Sequence, residues 1–230
     1  MPRPRSSGNA SANSSPHHCL PYYHLARMYS RLGQFPAAER HLRTALSLRP
    51  DFTEARLELA QTHARRGQTD LAVAEYRSVL RRQPANPVAL LRLADVLAAQ
   101  GRRPAAIQTL RQAIALHPSL WEAHYLLGVE LAVQESIEEA RERFAETVRL
   151  RPDFALGHLN LGISLAKLGR LNEAAIQFRI TLTLDPANAK AAEYLRSLES
   201  AAQPSAPPRE PEADKQGRTR WVSTATTVSA

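Results

Sequence analysis

The chain of 230 residues has little of several things that mark particular classes of protein. It contains one cysteine, Cys19, so an intramolecular disulfide is excluded and no oxidising compartment is implied. Aromatic residues make up only 6% of the chain, and runs of β-branched residues are few, whereas alanine and leucine are abundant. This composition indicates helices rather than sheet.

Long apolar runs are missing as well. No stretch approaches the length of a membrane-spanning helix, and the N-terminus lacks the apolar core of a secretory signal, so we expect a cytoplasmic protein. Residues 1–18 are rich in arginine and serine and free of acids, which predicts a disordered segment. An organelle transit peptide shares this composition and stays as the alternative. Without a secretory route, the glycosylation sequons at Asn9 and Asn13 are expected to be accidental.

Motifs that carry catalysis are also absent from the sequence. It has no glycine-rich phosphate loop, no H-E-x-x-H, no G-x-S-x-G and no pair of cysteines at metal-binding spacing. The best metal candidate is the run His17, His18 and Cys19, but adjacent residues cannot easily all face one tetrahedral ion, and no fourth ligand is signalled nearby. The sequence therefore predicts a protein that is not an enzyme and holds neither metal nor cofactor.

The net charge of +8 is spread thinly along the chain. Arginine is abundant and lysine is rare. Because the arginines are predicted on solvated faces too far apart to bind one ligand, we interpret this imbalance as the codon bias of a GC-rich genome. A scattered excess of this kind is typical of a solvated surface. Nucleic-acid binding stays a minor hypothesis, and it would depend on arginines such as Arg81, Arg82, Arg102 and Arg103.

What the sequence does have is a regular spacing of prolines. The phrase RPDF occurs at residues 49–52 and again at 151–154, and prolines recur every 34 residues through both copies: Pro50, Pro84, Pro118, Pro152 and Pro186. Placing each of these prolines at the thirty-second position divides the chain into five units: 19–52, 53–86, 87–120, 121–154 and 155–188.

The five units agree position by position. Position seven is leucine throughout, and position eight is alanine or glycine. Position fifteen is glycine in every unit except the fourth, which has Glu135. Glycine is expected here because the first helix should end at this position in a left-handed conformation. Position twenty is a small residue: Ala38, Ala72, Ala106, Ala140 and Ala175. Position twenty-four is a large one: Leu42, Tyr76, Leu110, Phe144 and Phe178. Together with apolar residues at helical spacing, these positions predict two closely packed helices in each unit.

These positions resemble the tetratricopeptide repeat, whose period is about 34 residues. The resemblance covers residues 19–188 and implies an all-α fold, a right-handed α-solenoid of antiparallel helix pairs. Residues 189–200 continue the helical pattern and resemble the cap helix that closes such arrays. Residues 201–230 are rich in proline and charge, and we expect them to form a disordered tail.

The junctions between units carry three further expectations. Each repeated proline should end the second helix, and Asp51 or Asp153 should accept hydrogen bonds from the free N–H groups of the next helix. Asn86, which precedes Pro87, should do the same. In the fourth unit, Ser136 with Glu139 forms the S-x-x-E pattern of a capping box, which would offset the strained turn at Glu135.

The resemblance also implies that the first helix of each unit lines a concave groove, with positions two, five, nine, twelve and thirteen facing into it. Position five is an apolar or aromatic ladder, while positions nine and thirteen change from basic near the N-terminus to apolar near the C-terminus. The predicted partner-binding residues are Tyr23, Arg27, Arg31, Leu57, Gln61, Arg65, Leu91, Asp95, Tyr125, Val129, Leu159 and Ile163. The alternative, that neighbouring units cover the ladder as core, stays open.

The function predicted from this resemblance is a protein-interaction scaffold that binds a peptide or an amphipathic helix in the groove. The alternative is a regulatory or targeting subunit of an enzyme system such as glycosyl transfer, secretion or envelope assembly, since arrays of this family accompany such systems. Binding of acidic chaperone C-termini is not expected, because position five is Leu or Tyr and position nine lacks Asn. The oligomeric state is left open.

Overall fold

The computed structural model of the chain describes residues 16–202. A short 3-10 helix at Pro16–Cys19 precedes eleven α-helices, and the described residues include no strand. The helices are α1 Leu20–Arg31, α2 Phe35–Leu48, α3 Thr53–Arg65, α4 Thr69–Arg82, α5 Pro87–Ala99, α6 Arg103–Leu116, α7 Trp121–Val133, α8 Ile137–Leu150, α9 Ala155–Lys167, α10 Leu171–Leu184 and α11 Ala189–Ala202. The predicted all-α fold is confirmed. The sequons at Asn9 and Asn13 and most of both segments predicted to be disordered lie outside the described residues.

Each helix packs against the next one along the chain. The odd-numbered helices also contact one another, α1 with α3, α3 with α5 and α5 with α7, whereas the even-numbered helices are kept further apart. A solenoid whose odd-numbered helices lie closer together curves toward them. The odd-numbered helices therefore line the concave side.

The helix ends follow from proline and from left-handed turns. Each second helix ends two residues before a repeated proline, and the residue between them is extended, as at Arg49 with φ −139° and ψ 91°, because proline disfavours a helical residue before it. The turn within a unit passes through a left-handed residue: Gly33, Gly67, Gly101 and Gly169 have φ of 72°, 72°, 73° and 75°. Glu135 takes the same conformation with φ 61°, at a cost of about 1 kcal/mol.

The expected caps at Asp51 and Asp153 were wrong. Helices α3 and α9 are preceded directly by Phe52 and Phe154, which occupy the capping position without a side-chain hydrogen bond. Each aspartate lies one residue too early, and its carboxylate instead faces the arginine of its own RPDF copy, with Nε to Oδ1 distances of 3.8 Å for Asp51 and 3.3 Å for Asp153.

The other two cap predictions had opposite outcomes. Asn86 caps α5 as expected, since its Oδ1 accepts a hydrogen bond from the Ala89 N–H at 2.9 Å. Ser136 does precede α8, but its side chain makes no capping bond, so the capping box was wrong. Glu139 turns instead to Arg111 of α6, with 3.2 Å between Oε2 and Nη2.

Position four of the first helix ties each of three units to the junction before it. His124 and His158 place Nε2 at 2.9 Å from the carbonyl oxygens of Pro118 and Pro152. In the second unit Arg56 Nη2 donates to the carbonyl oxygen of Pro50 at 3.0 Å. These carbonyl groups lie just beyond the end of the preceding second helix, and the side chains at position four satisfy them.

Within a unit, the two helices meet where position eight faces position twenty-four. A Cβ on Gly128 would lie 2.7 Å from the Phe144 ring, and one on Gly162 would lie 2.7 Å from the Phe178 ring. The first and third units combine alanine with a leucine at these positions, Ala94 with Leu110 for example, and all these residues are buried. A phenylalanine at position twenty-four thus goes with glycine at position eight. Nothing in the structure explains why the second unit has alanine together with Tyr76.

Two positions differ from the expected pattern. The twentieth residue of the unit 155–188 is Ala174, which is buried, so the prediction of Ala175 at this position was wrong, and Ala175 is half-buried. Leucine at position seven is 3 to 6% exposed in the last four units, but Leu25 is 40% exposed. No α-helix of the described residues precedes α1, so Leu25 lacks the preceding helix that the later units have.

The contact between positions eight and twenty-four can be tested by exchanging its two sides. Gly128→Ala should lower the free energy of unfolding by about 1 to 3 kcal/mol, because the new methyl group overlaps the Phe144 ring. Adding Phe144→Leu reproduces the alanine and leucine of the third unit and should recover part of this loss, although Phe144→Leu alone leaves a cavity. Urea unfolding of the four proteins measures the coupling between the two sites. Losses that simply add would contradict this account of the contact.

Candidate functional site

Two depressions lie side by side on the concave face of the array. The first, of about 230 Å³, lies among α1, α3 and α5, and the second, of about 420 Å³, lies between α5 and α7. Both are lined by Val88 and Arg92, so they form one continuous groove. We call the second depression the aromatic cleft, since Trp121, Tyr125 and Phe154 line it.

The aromatic cleft is built by the second RPDF phrase. Phe154, the last letter of that phrase, packs its ring at 4.8 Å from Trp121 and edge-on at 4.9 Å from Tyr125, measured between ring centroids. The Arg151 guanidinium, from the first letter, lies 4.6 Å from the centroid of Trp121. A residue at the end of one unit thus completes the surface of the helix that began that unit.

The first RPDF phrase makes a similar arrangement at the other end of the groove. Phe52 packs at 5.0 Å from Tyr23, which lies at position five like Tyr125. Arg49 places its guanidinium 4.0 Å from the centroid of Phe52. The two copies of the phrase coincide with the two tyrosines of the position-five ladder, so its repetition supports an aromatic pair at each place.

Half of the predicted partner-binding residues line this groove: Tyr23, Leu57, Gln61, Leu91, Asp95 and Tyr125. Arg27 and Arg31 line a different depression of about 450 Å³, whose residues all belong to α1 and the turn after it, so that it has a single wall. Arg65 is exposed and lines neither the groove nor the depression at α1.

The C-terminal part of the ladder belongs to the core. Leu159 is 5% exposed and lies within the main core cluster, so its place among the groove residues has to be corrected. Val129 and Ile163 are half-buried and pack against the same cluster. The position-five ladder is therefore partly core and partly groove.

Tyr125 serves both roles. Its ring lies 6.0 Å from the buried Phe144 ring as well as against Phe154, and its hydroxyl oxygen accepts a hydrogen bond from Asn160 Nδ2 at 3.2 Å. Removing this ring would disturb the fold along with the groove. It is a poor position at which to separate binding from stability.

Several residues that line the groove were not predicted from the sequence. Glu58, Arg92 and Leu126 lie at position six, which was not among the positions expected to face inward. A usable signal was present, because positions two, six, nine and thirteen form one stripe at i, i+4, i+7 and i+11 on a helix. Trp121, at position one, and Phe154 carried no such signal, since their place depends on how the junctions fold.

The groove is acidic although the chain as a whole is basic. Four carboxylates line it, Glu54, Glu58, Asp95 and Glu122, and Arg92 is the one arginine or lysine among the lining residues of both depressions. Arg92 is already engaged, with its Nη1 at 3.3 Å from Asp95 Oδ2. The predicted change from a basic to an apolar groove therefore leaves out its acidic middle part.

Burial raises the pKa of two residues that line the groove, Asp95 and Tyr76. Burial raises the pKa of the Asp95 carboxyl, and the neighbouring Arg92 opposes this shift without cancelling it. Burial also raises the pKa of Tyr76 to about 12, so this phenol stays neutral at physiological pH. The groove thus holds Asp95 in an environment where its ionised form is less favoured than in water.

No group of three or more His, Cys, Asp or Glu residues that could hold a metal ion occurs among the residues that the structure describes. Over the same residues, no helix is long and apolar enough to cross a membrane. The groove offers apolar and aromatic surface, carboxylates and one arginine. These groups suit recognition of a protein segment.

Comparison with known proteins agrees with this architecture. Two family models, both described as tetratricopeptide repeat, match the sequence, one over residues 23–87 and 130–189 and the other over residues 63–128. No curated protein matches the sequence.

Solved structures with a similar fold include those of MamA, pilF and YrrB. MamA 41-end from Desulfovibrio magneticus RS-1 is 23% identical, with a TM-score of 0.64 over 74% of this chain and 97% of that chain. The pilF protein of Pseudomonas aeruginosa is 24% identical, with a TM-score of 0.71 over 80% of this chain and 84% of that one. YrrB is 21% identical, with a TM-score of 0.62 over 77% and 92%. These likenesses concern the fold.

The pKa of Asp95 leads to a prediction about stability and pH. Because its pKa is raised in the folded state, ionisation of Asp95 disfavours folding, and this loss develops as the pH rises through the raised pKa. Asp95→Asn removes the charge, so the variant should gain free energy of unfolding relative to the wild type between about pH 3 and pH 7. Urea unfolding across this range measures the difference.

Asp51→Asn is the matched control, since the Asp51 side chain is 77% exposed and lies outside the groove. If the wild type instead gained stability over Asp95→Asn with rising pH, the ion pair with Arg92 would outweigh burial.

Proposed function

Because the chain belongs to the tetratricopeptide repeat family, whose repeats are generally non-catalytic modules of protein interaction, we propose that it is a scaffold that binds a segment of another protein in its concave groove. The segment is a peptide or an amphipathic helix that lies along α3, α5 and α7. The observation that carries this proposal is the aromatic cleft with its exposed apolar rim.

The rim residue Val88 is the clearest sign that the groove is made for a partner. It is 49% exposed and lines both depressions, at the point where they join. The packing of α5 depends on other residues, since Leu90, Leu93 and Leu97 are at most 5% exposed. An exposed valine between two aromatic pairs serves the surface and not the core.

The aromatic cleft supplies the anchor for such a segment. Trp121 and Phe154 are half-buried, so each keeps part of its ring area accessible while its position is fixed by packing. Rigid aromatic side chains in a concave site commonly dominate binding energy, because little conformational entropy is lost when they are covered. One protein with this fold, YrrB, is described as having an unusual peptide-binding site.

The remaining predicted residues extend the proposed surface in both directions. Arg27, Arg31 and Arg65 are exposed near the N-terminal end, where they would act on the rate and salt dependence of association. Val129 and Ile163 are half-buried and continue the apolar surface beyond the aromatic cleft. The main contact is proposed for the groove from Tyr23 to Phe154.

A photo-crosslinking residue at Val88 tests the proposal directly. The full chain carrying p-benzoyl-phenylalanine in place of Val88 should form a covalent adduct with a discrete partner when irradiated in its own cells. The same replacement of Ile176, a residue of α10 that is 51% exposed and lines none of the described depressions, is the matched control. Equal adducts at both positions, or an adduct at Ile176 alone, would place binding elsewhere.

Once the adduct has identified the partner, the contribution of Val88 to its binding can be measured. Val88→Ser should weaken its binding about three- to tenfold, which corresponds to roughly 1 kcal/mol for the loss of one small apolar contact. Ile176→Ser should leave the affinity unchanged. Melting temperatures of both variants should equal that of the wild type, because neither side chain is buried. A fall in melting temperature for Val88→Ser would indicate that Val88 contributes to the core and contradict its assignment to the groove surface.

A further inference from the structure

We propose that the groove selects a cationic amphipathic segment, whose apolar side chains rest in the aromatic cleft and whose arginine or lysine side chains meet the carboxylates of Glu58 and Glu122. This inference rests on the proposed function, since it names the chemistry of the segment that the groove would bind. The observation behind it is the state of these two carboxylates.

Glu58 and Glu122 differ from the other half-buried carboxylates between residues 18 and 200. Each of the others has a partner: an arginine in most cases, as at Glu75 and Glu130, and the side-chain amide of Asn188 at Asp185. The side-chain carboxylates of Glu58 and Glu122 form neither an ion pair nor a hydrogen bond with any residue that the structure describes. Both line the groove.

An unpaired, half-buried carboxylate is unfavourable in a free protein, because it has lost part of its hydration without gaining a cation. Arginines are plentiful in this chain and pair with nearly all other carboxylates of this kind. No arginine of the described residues pairs with Glu58 or Glu122, although Arg92 lines the groove beside them, so both carboxylates are available to a cation of a partner. A guanidinium or an ammonium group of a partner would pair with them at little further cost in desolvation.

The two carboxylates lie on either side of the apolar surface. Glu58 is on α3, in the first depression, and Glu122 is on α7, in the aromatic cleft, while Val88 and Leu91 of α5 lie on the helix between them. A bound segment would therefore need an apolar face flanked by positive charges. That is the pattern of a basic amphipathic helix.

Further groups in the groove favour the same charge. Glu54 lies one helical turn before Glu58, and Asp95 adds a carboxylate on α5 that Arg92 only partly neutralises. Trp121 holds the guanidinium of Arg151 at 4.6 Å from its ring centroid, which shows that an arginine side chain can pack against this ring. An acidic segment would meet repulsion from four carboxylates instead.

Synthetic peptides test this preference. Three acetylated, fluorescein-labelled peptides of roughly fourteen residues, about four helical turns, share one leucine pattern and carry arginine, glutamine or glutamate at the polar positions. They are titrated into the full chain carrying Trp221→Phe, which leaves Trp121 as its sole tryptophan. Anisotropy of the label gives the affinity, and the emission of Trp121 reports whether the peptide lies in the aromatic cleft.

We expect the arginine peptide to bind at least tenfold more tightly than the glutamine peptide, to bind more weakly as salt rises, and to shift the Trp121 emission. The glutamate peptide should bind least. Glu58→Gln together with Glu122→Gln should weaken the arginine peptide about tenfold and leave the glutamine peptide unchanged. The matched control, Asp70→Asn with Glu135→Gln, removes two exposed charges outside the groove and should change neither.

The outcomes separate this inference from the proposed function. If the glutamine or glutamate peptide shifts Trp121 and binds as tightly as the arginine peptide, the groove binds segments but does not select cations. If the arginine preference survives the Glu58 and Glu122 substitutions, the preference arises elsewhere and the inference is wrong. If no peptide binds while the cross-link at Val88 still forms, the inference alone fails. If neither occurs, both fail.

Discussion

The array depends on the close contact between position eight of each first helix and position twenty-four of its second helix. At Gly128 and Gly162 there is no room even for a methyl group, because the rings of Phe144 and Phe178 fill the space. This contact sets how closely the helices of a pair approach, and its recurrence every 34 residues gives successive pairs a similar arrangement. The odd-numbered helices then come side by side, and the groove is the surface that they share.

The sequence predicted this architecture well because its signals are local and repeated. A small residue and a large one at fixed positions, a turn glycine and a proline each restrict the chain within a few residues, and four or five copies of each pattern support one another. Single features were predicted less well. Asp51 and Ser136 are both suitable capping residues by type, but Asp51 lies one residue before the capping position, and Ser136 occupies that position without making the bond. The residue type alone does not predict a helix boundary to within one residue.

The groove was harder to predict than the fold because it combines residues from different units. Leu159 and Tyr125 share position five, yet only Tyr125 lines the groove, while Leu159 lies in the core cluster against which Leu195 and Leu198 of α11 also pack. Phe154 reaches the aromatic cleft only because its junction folds back onto α7. The acidic character of the groove was visible at positions two and six, but only the structure shows that the Glu58 and Glu122 carboxylates pair with no residue of the described part of the chain.

Most residues of α5 and α7 take part either in folding or in the groove. On α5, Leu90, Leu93 and Leu97 are buried while Val88 and Asp95 line the groove, and α7 is divided in the same way between Leu127 and Glu122. The carboxylates of Glu58 and Glu122 pair with no described residue, and burial raises the pKa of Asp95, so its ionised form is less favoured than in water. These groove carboxylates are therefore less favourable in the free protein than the packing of the solenoid would require. Leu91, Tyr125 and Leu126 line the groove and also pack against the core, whereas Glu58 and Glu122 do not belong to the core cluster, so substitutions that change the charge of the groove are expected to leave the array intact.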